Sequence, residues 1–197
     1  AVDNGAKIIN GSFGKYFSSN PEWVIDAIKY ASDNDVLVIA AAGNESKDLD
    51  SLSNDNYPND QFFNKNEFSD TFIKVGASSI NLDENFTAYF SNYGKINVDI
   101  FAPGVDIYSS VPNNKYKFQS GTSMASPVVS GIASLIMSFF PKLSAKKVKE
   151  IILESGIDID IKIGNLGGNK HFREYSKSGK LVNAYNALIL ASRSKRK

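Results

Sequence analysis

The residues that invite chemistry are Gly121-Thr122-Ser123-Met124-Ala125-Ser126-Pro127, which run directly into the apolar stretch from Val128 to Met137. A glycine, then hydroxyl residues, then apolar positions at helical spacing predict a turn that delivers Ser123 onto the first turn of a buried helix. Backbone N–H groups at a helix start lack intrahelical acceptors, and the dipole there favours negative charge. A serine oxygen so placed sits beside a donor for an anionic tetrahedral intermediate. Pro127 falls within the opening turns, where a missing N–H costs least. The small residues Gly121, Ala125, Ser126, Ser130, Gly131, Ala133 and Ser134 suit close packing against a sheet. The same residues also describe a core helix capped by a serine, so this stretch alone leaves nucleophile and structural cap as alternatives.

Either reading needs a scaffold. Ala1 to Lys7 predicts the end of a helix with Gly5 as its C-cap. Ile8 to Gly14 predicts a short buried strand closing in a glycine-rich turn. A helix follows from Pro21, with Trp23, Ala27, Ile28 and Ala31 as its apolar side, and runs out near Asp33-Asn34. Val36 to Ala42 is a continuous apolar run of the kind buried on both faces in a parallel sheet. Strand, helix and strand make one right-handed parallel unit, and loops leaving the carboxyl ends of such strands commonly carry the site. Ser12-Phe13-Gly14 and Ala42-Gly43-Asn44-Glu45 both lie at those ends and should meet in space.

Residues 46–69, rich in Asp, Asn, Ser and Lys, predict a surface excursion or insertion with little regular structure. Phe72 to Ala77 and Val98 to Ala102 are further strands. Val105 to Val111 and Tyr116 to Gln119 bracket a hairpin turn. Ser144 caps a helix over Ala145 to Ser155. Residues 164–179 are an insertion loop, and a last helix runs from Leu181 to about Ala191 with Val182, Tyr185, Leu188 and Ile189 inward. The expected class is α/β, three layers with helices on both faces of a mainly parallel sheet.

The chain has 197 residues, 42% hydrophobic, with 22 basic against 21 acidic side chains and a net charge of +1. That length suits one domain, and the balance argues against a nucleic-acid partner held by bulk charge. Residues 192–197 form a basic tail. Without cysteine there is no thiol nucleophile, disulfide or thiolate metal site. No apolar run approaches the roughly 20 residues of a membrane span.

The ordered motifs resemble the subtilisin-like serine proteases. Gly121 to Pro127 is similar to their nucleophile signature, and Ala40-Ala41-Ala42-Gly43-Asn44-Glu45 to the segment carrying their oxyanion-hole asparagine. Phe90-Ser91-Asn92-Tyr93-Gly94 and Phe101-Ala102-Pro103-Gly104 resemble two framework motifs. Gly179 to Ala184 resembles the entry to the C-terminal helix, and Ile9 to Gly14 the strand beside bound peptide. The resemblance implies a serine endopeptidase in which Ser123 is the nucleophile and Asn44 the oxyanion donor. Ser12, Phe13 and Gly14 would form one wall of the substrate pocket and Ala41, Ala42 and Gly43 the other. Asn56, where relatives often have glycine, would sit near its floor. The Asn59 to Glu67 stretch, longer than in compact members, would shape the rim.

The same resemblance places the family's aspartate and histidine ahead of this sequence, so the chain is expected to be the C-terminal part of an N-terminally truncated catalytic domain, inactive alone. His171, the sole histidine, lies in a polar loop and is expected in solvent. The expected partners are a polypeptide substrate, the missing segment carrying Asp and His, and a second copy through exposed apolar surface. The alternative is a non-catalytic relative that binds peptides or supports an assembly. Bacterial secretion or the cell envelope is implied as the setting. No cofactor is required. Calcium is implied by resemblance only: Asp48, Asp50, Asp55, Asp60, Asn54, Asn56 and Asn59 are hard oxygen donors, though they fit no EF-hand and equally describe a solvated acidic surface.

Overall fold

The structure, a computed structural model, describes residues 1–61 and 66–194. Positions 62–65 of the expected pocket rim and the last three residues of the basic tail lie outside the described residues. A 3-10 turn, Val2–Asn4, closes on Gly5 in the left-handed region (φ 80°), in place of the expected helix end. The chain then forms β1 (Ile8–Gly11), α1 (Pro21–Asp33), β2 (Leu37–Ala41), β3 (Phe72–Ser78) and β4 (Ile100–Pro103). A hairpin of β5 (Ile107–Val111) and β6 (Lys115–Gln119) leads to α2 (Thr122–Phe139) and α3 (Ala145–Ser155). The short strands β7 (Ile157–Asp158), β8 (Lys162–Ile163), β9 (Lys170–His171) and β10 (Lys180–Leu181) precede α4 (Ala184–Ser194).

The main sheet runs β1-β2-β3-β4-β10-β7, parallel throughout except for the antiparallel pair β10–β7. Side chains alternate across a strand, so Leu37 and Ile39 face one side while Val38 and Ala40 face the other. On the first side they pack with Ile73, Val75 and Ile100 beneath Val129, Ile132 and Ile136 of α2 and Ile151 and Ile152 of α3. On the second side Ala40 and Phe72 meet Ile28 of α1, while Ala42 and Phe101 meet Phe86, Phe172 and Tyr175. Ile39, fully buried, contributes about 1.5–3 kcal/mol of apolar transfer free energy. The expected three-layer α/β arrangement is therefore what forms.

Several details differ from the sequence expectations. The last helix starts at Ala184 rather than Leu181, because Leu181 pairs with Phe101 as strand and Asn183 Oδ1 accepts the Asn186 N–H at 2.8 Å. That shift turns the helix: Ala187 and Ala191 are buried while Tyr185 is 72% exposed. On α1, Ile28 and Ala31 are buried but Trp23 is 73% exposed. Residues 46–69 form no helix or strand among those described, yet Leu49, Asn56, Asn59, Asp60 and Ser69 are buried, so this segment is a packed wall. The loop at 164–179 likewise anchors the core through Phe172 and Tyr175, both at 0% exposure. Finally, α2 is by length and composition able to cross a bilayer, contrary to the estimate from apolar runs. Its packing against β1, β2, β3 and β4 explains that apolarity.

Candidate active site

Ser123 is the second residue of α2, half-buried, with Gly121 as the helix N-cap. Pro127 cannot donate to the carbonyl four residues earlier, which is that of Ser123. The freed oxygen accepts instead from Ser12 Oγ at 2.9 Å. Ser12 is in turn held by Asn10 Nδ2 at 2.9 Å, and Asn10 Oδ1 accepts from Ser126 and Ser130 on α2 at 2.8 and 3.0 Å. One helix-breaking residue and four polar side chains thus lock the turn that carries Ser123 onto the end of β1. Ser123 Oγ donates to the Ser12 carbonyl at 3.1 Å, so the hydroxyl lies at the mouth of the cleft between the two parallel strands and α2.

Asn44 follows β2 and reaches the same place. Its Oδ1 accepts from both the N–H and the hydroxyl of Thr122, each at 2.9 Å, while Thr122 Oγ1 accepts from the Gly43 N–H at 3.1 Å. A backbone N–H can only donate, so Thr122 fixes the amide with Nδ2 turned toward Ser123. A methyl group placed on Gly121 would lie 3.6 Å from Ser123 N and 3.7 Å from Asn44 Nδ2, so two donors flank one small volume. Glycine keeps that volume open. Two donors converging beside a hydroxyl are what a developing oxyanion requires.

A cavity of about 100 Å³ opens beside this pair, lined by Phe13, Gly14, Ala41, Gly43, Asn56 and Ser123 among others. The strand ends at Ser12 to Gly14 and Ala41 to Asn44 are thus brought together. Ser12 acts from beneath, through Ser123. Ala42 points away into the second core and contributes its carbonyl, which accepts from Asn92 Nδ2 at 2.8 Å. Asn92 was legible only as part of a framework motif; its Oδ1 also accepts the Glu45 and Lys47 N–H groups at 3.2 and 2.9 Å, holding the loop that presents Asn44. Thr122, Tyr16 and Lys74 were not singled out, since nothing in their spacing marks them.

Beneath the floor lies buried charge. Lys74 is fully enclosed and donates to Asn56 Oδ1 at 2.7 Å. Lys149 stands 3.3 Å from Glu67 and 3.9 Å from both Asp60 and Asp99. Burial, reinforced by Asp99, pushes the Asp60 carboxyl up to about 7, and burial pulls the Lys74 ammonium down to about 7. A raised carboxyl favours the fold below its unfolded value and loses that contribution as pH rises through 7. A depressed ammonium favours the fold above its unfolded value and loses that contribution as pH falls through 7. Urea titrations from about pH 4 to 10 are therefore expected to show least stability near neutrality, with Lys74→Met reducing the alkaline rise to the part that Lys177, also depressed by burial, contributes. A stability maximum near neutrality, unmoved by that substitution, contradicts this.

Among the described residues no histidine or carboxylate contacts Ser123 Oγ. His171 sits on β9, with Nδ1 3.3 Å from Asp160 and its N–H donating to Glu174. Of the calcium donors, Asp50, Asn54, Asp55, Asn56 and Asn59 line one small polar cavity of about 10 Å³. Asp50 accepts from the N–H groups of Ile96 and Asn97 and from Asn97 Nδ2, Asp48 from the Asp50 N–H, and Asp60 faces Lys149. Among the described residues no group of three acidic or imidazole side chains is placed to hold a metal ion.

Comparison with known proteins agrees with the geometry. Subtilisin-like protease 2 of Plasmodium falciparum (isolate 3D7) is 38% identical over 165 residues, 79% of this chain and 11% of that protein. Subtilisin DY of Bacillus licheniformis is 38% identical over 149 residues, 76% of this chain and 49% of that protein. The chain thus spans half or less of these relatives. The solved structure of the Prenylagaramide maturation protease PagA superposes with a TM-score of 0.73 at 30% identity, covering 96% of this chain and 63% of that one. A family model described as Subtilase family (peptidase S8) matches residues 1–180. With that match spanning nearly all of the chain, the chain belongs to the subtilase family.

Proposed function

We propose that this chain is the nucleophile-bearing part of a serine endopeptidase whose general base and its orienting carboxylate come from polypeptide outside these 197 residues. The observation that carries the reading is the convergence of the Ser123 N–H and Asn44 Nδ2 on one volume beside the Ser123 hydroxyl. In the assembled enzyme the base takes the Ser123 proton as Oγ attacks the scissile carbonyl carbon. The oxyanion forms between the two donors, the amine leaves with the proton, and water then hydrolyses the acyl-serine. Phe13, Gly14, Ala41, Gly43 and Asn56 hold the substrate side chain, with Ser12 and Ala42 supporting from behind. This hydrolysis requires no cofactor.

The segment bearing the base would lie against β1. That strand pairs only with β2 among the described residues, and an apolar cleft of about 320 Å³ opens alongside it between Ile9, Trp23, Val24, Ala27 and Pro58. Such an edge favours pairing, so the 197-residue chain by itself is expected to associate with that segment or with a second copy. Work outside the cytoplasm is part of this reading through family kinship alone.

The test is hydrolysis of an unfolded protein substrate by the whole polypeptide that carries these residues, beside the 197-residue chain. The whole polypeptide is expected to cleave and the shorter chain not. Peptide binding without cleavage by the whole polypeptide supports instead a binding relative.

A further inference from the structure

The cavity floor has a defined polarity. Asn56 is 3% exposed, and its Oδ1 accepts from the Lys74 ammonium, itself on a residue only 1% exposed. Lys74 Nζ donates to that oxygen, which leaves Nδ2 on the side of the amide away from Lys74. Nδ2 points the other way, toward the cavity: a methyl group on Gly14, which lines it, would meet Nδ2 at 3.5 Å. No acceptor for Nδ2 occurs among the described residues. Glu45 lines the same cavity, with Oε2 engaged by Tyr16, by the Asn44 N–H at 2.8 Å and by Asn92 Nδ2 at 3.2 Å. Its Oε1 accepts none of these. The site therefore offers a hydrogen-bond donor at the floor and a carboxylate at the wall, between the surfaces of Phe13 and Ala41.

We propose that this cavity selects a carboxamide side chain, glutamine or asparagine, on the residue preceding the scissile bond. The side-chain oxygen accepts from Asn56 Nδ2, and its amino group donates toward Glu45 Oε1. An aliphatic side chain leaves the floor donor without a partner, a carboxylate meets the charge of Glu45, and a lysine brings donors to a donor. Lys74 is a positioning residue: it touches Asn56 and not the substrate. The inference rests on the reading of the cleft as a peptide-binding site.

The experiment compares acetyl-Ala-Ala-Ala-X anilides, with X as Gln, Glu, Leu or Lys, as substrates of the whole polypeptide. kcat/KM for Gln is expected to exceed that for Leu and Lys by about tenfold, the scale of leaving one partly buried donor without a partner. Asn56→Asp replaces the donor by an acceptor of the same shape and should lower the Gln preference while raising Lys. Lys74→Met should lower the Gln-to-Leu ratio while Leu hydrolysis persists, a split that lost structural support alone does not produce. Preference for Leu, Glu or Lys that neither substitution moves overturns the inference and leaves the peptidase reading intact. If no anilide is cleaved, calorimetric titration of the Ser123→Ala whole polypeptide with the peptides ending at X decides selectivity. About tenfold tighter binding of the Gln peptide supports it, and equal affinities overturn it.

Discussion

Asn44→Ala in the whole polypeptide is expected to lower kcat by roughly 10²–10³-fold with KM little changed, a magnitude borrowed from a subtilisin oxyanion asparagine. The reason is the one-sided engagement of the amide. Oδ1 is committed to Thr122, so Nδ2 has no task in the ground state other than to face the volume beside Gly121. A group that acts only on the oxyanion affects the transition state and leaves substrate affinity alone. Steady-state kinetics check this, and a rise in KM at constant kcat places Asn44 in ordinary substrate binding instead.

Asn92→Leu is expected to cost about 3–5 kcal/mol of stability, large for one substitution. The side chain is completely buried and touches five polar groups: the Ala42 carbonyl, the Glu45 and Lys47 N–H groups, Tyr16 and Glu45 Oε2. Leucine keeps the branched skeleton but is bulkier, so it crowds the site while the Ala42 carbonyl and the two backbone donors lose their partner. Each buried group left in that state costs about 1–3 kcal/mol, partly relieved where water reaches the loop. Because that loop presents Asn44, activity should fall with stability. Urea denaturation measures the first effect, and a loss below about 1 kcal/mol shows that water replaces Asn92 at all of these contacts.

The strands and helices were legible because burial imposes period and length. Leu37 to Ala41, Phe72 to Ser78 and the apolar run after Ser123 could hardly be anything else once both sheet faces are covered. The end of the chain was less legible: the same apolar letters serve strand at Leu181 and helix after Ala184, and only the pairing of Leu181 with Phe101 separates them. At the site, Ser123 and Asn44 carried a recognisable sequence context. Thr122 did not, because its task depends on an amide 78 positions away. Lys74 is one polar residue inside an apolar strand, and its bond to Asn56 joins segments that no local pattern connects.

The most direct test of the account is intact-mass spectrometry after exposure to a fluorophosphonate. The whole polypeptide should gain one adduct, abolished by Ser123→Ala, while the 197-residue chain stays essentially unmodified because its hydroxyl lacks a base. Equal labelling of the two species, or an adduct that survives Ser123→Ala, contradicts the claim that Ser123 is a nucleophile completed by a base from elsewhere.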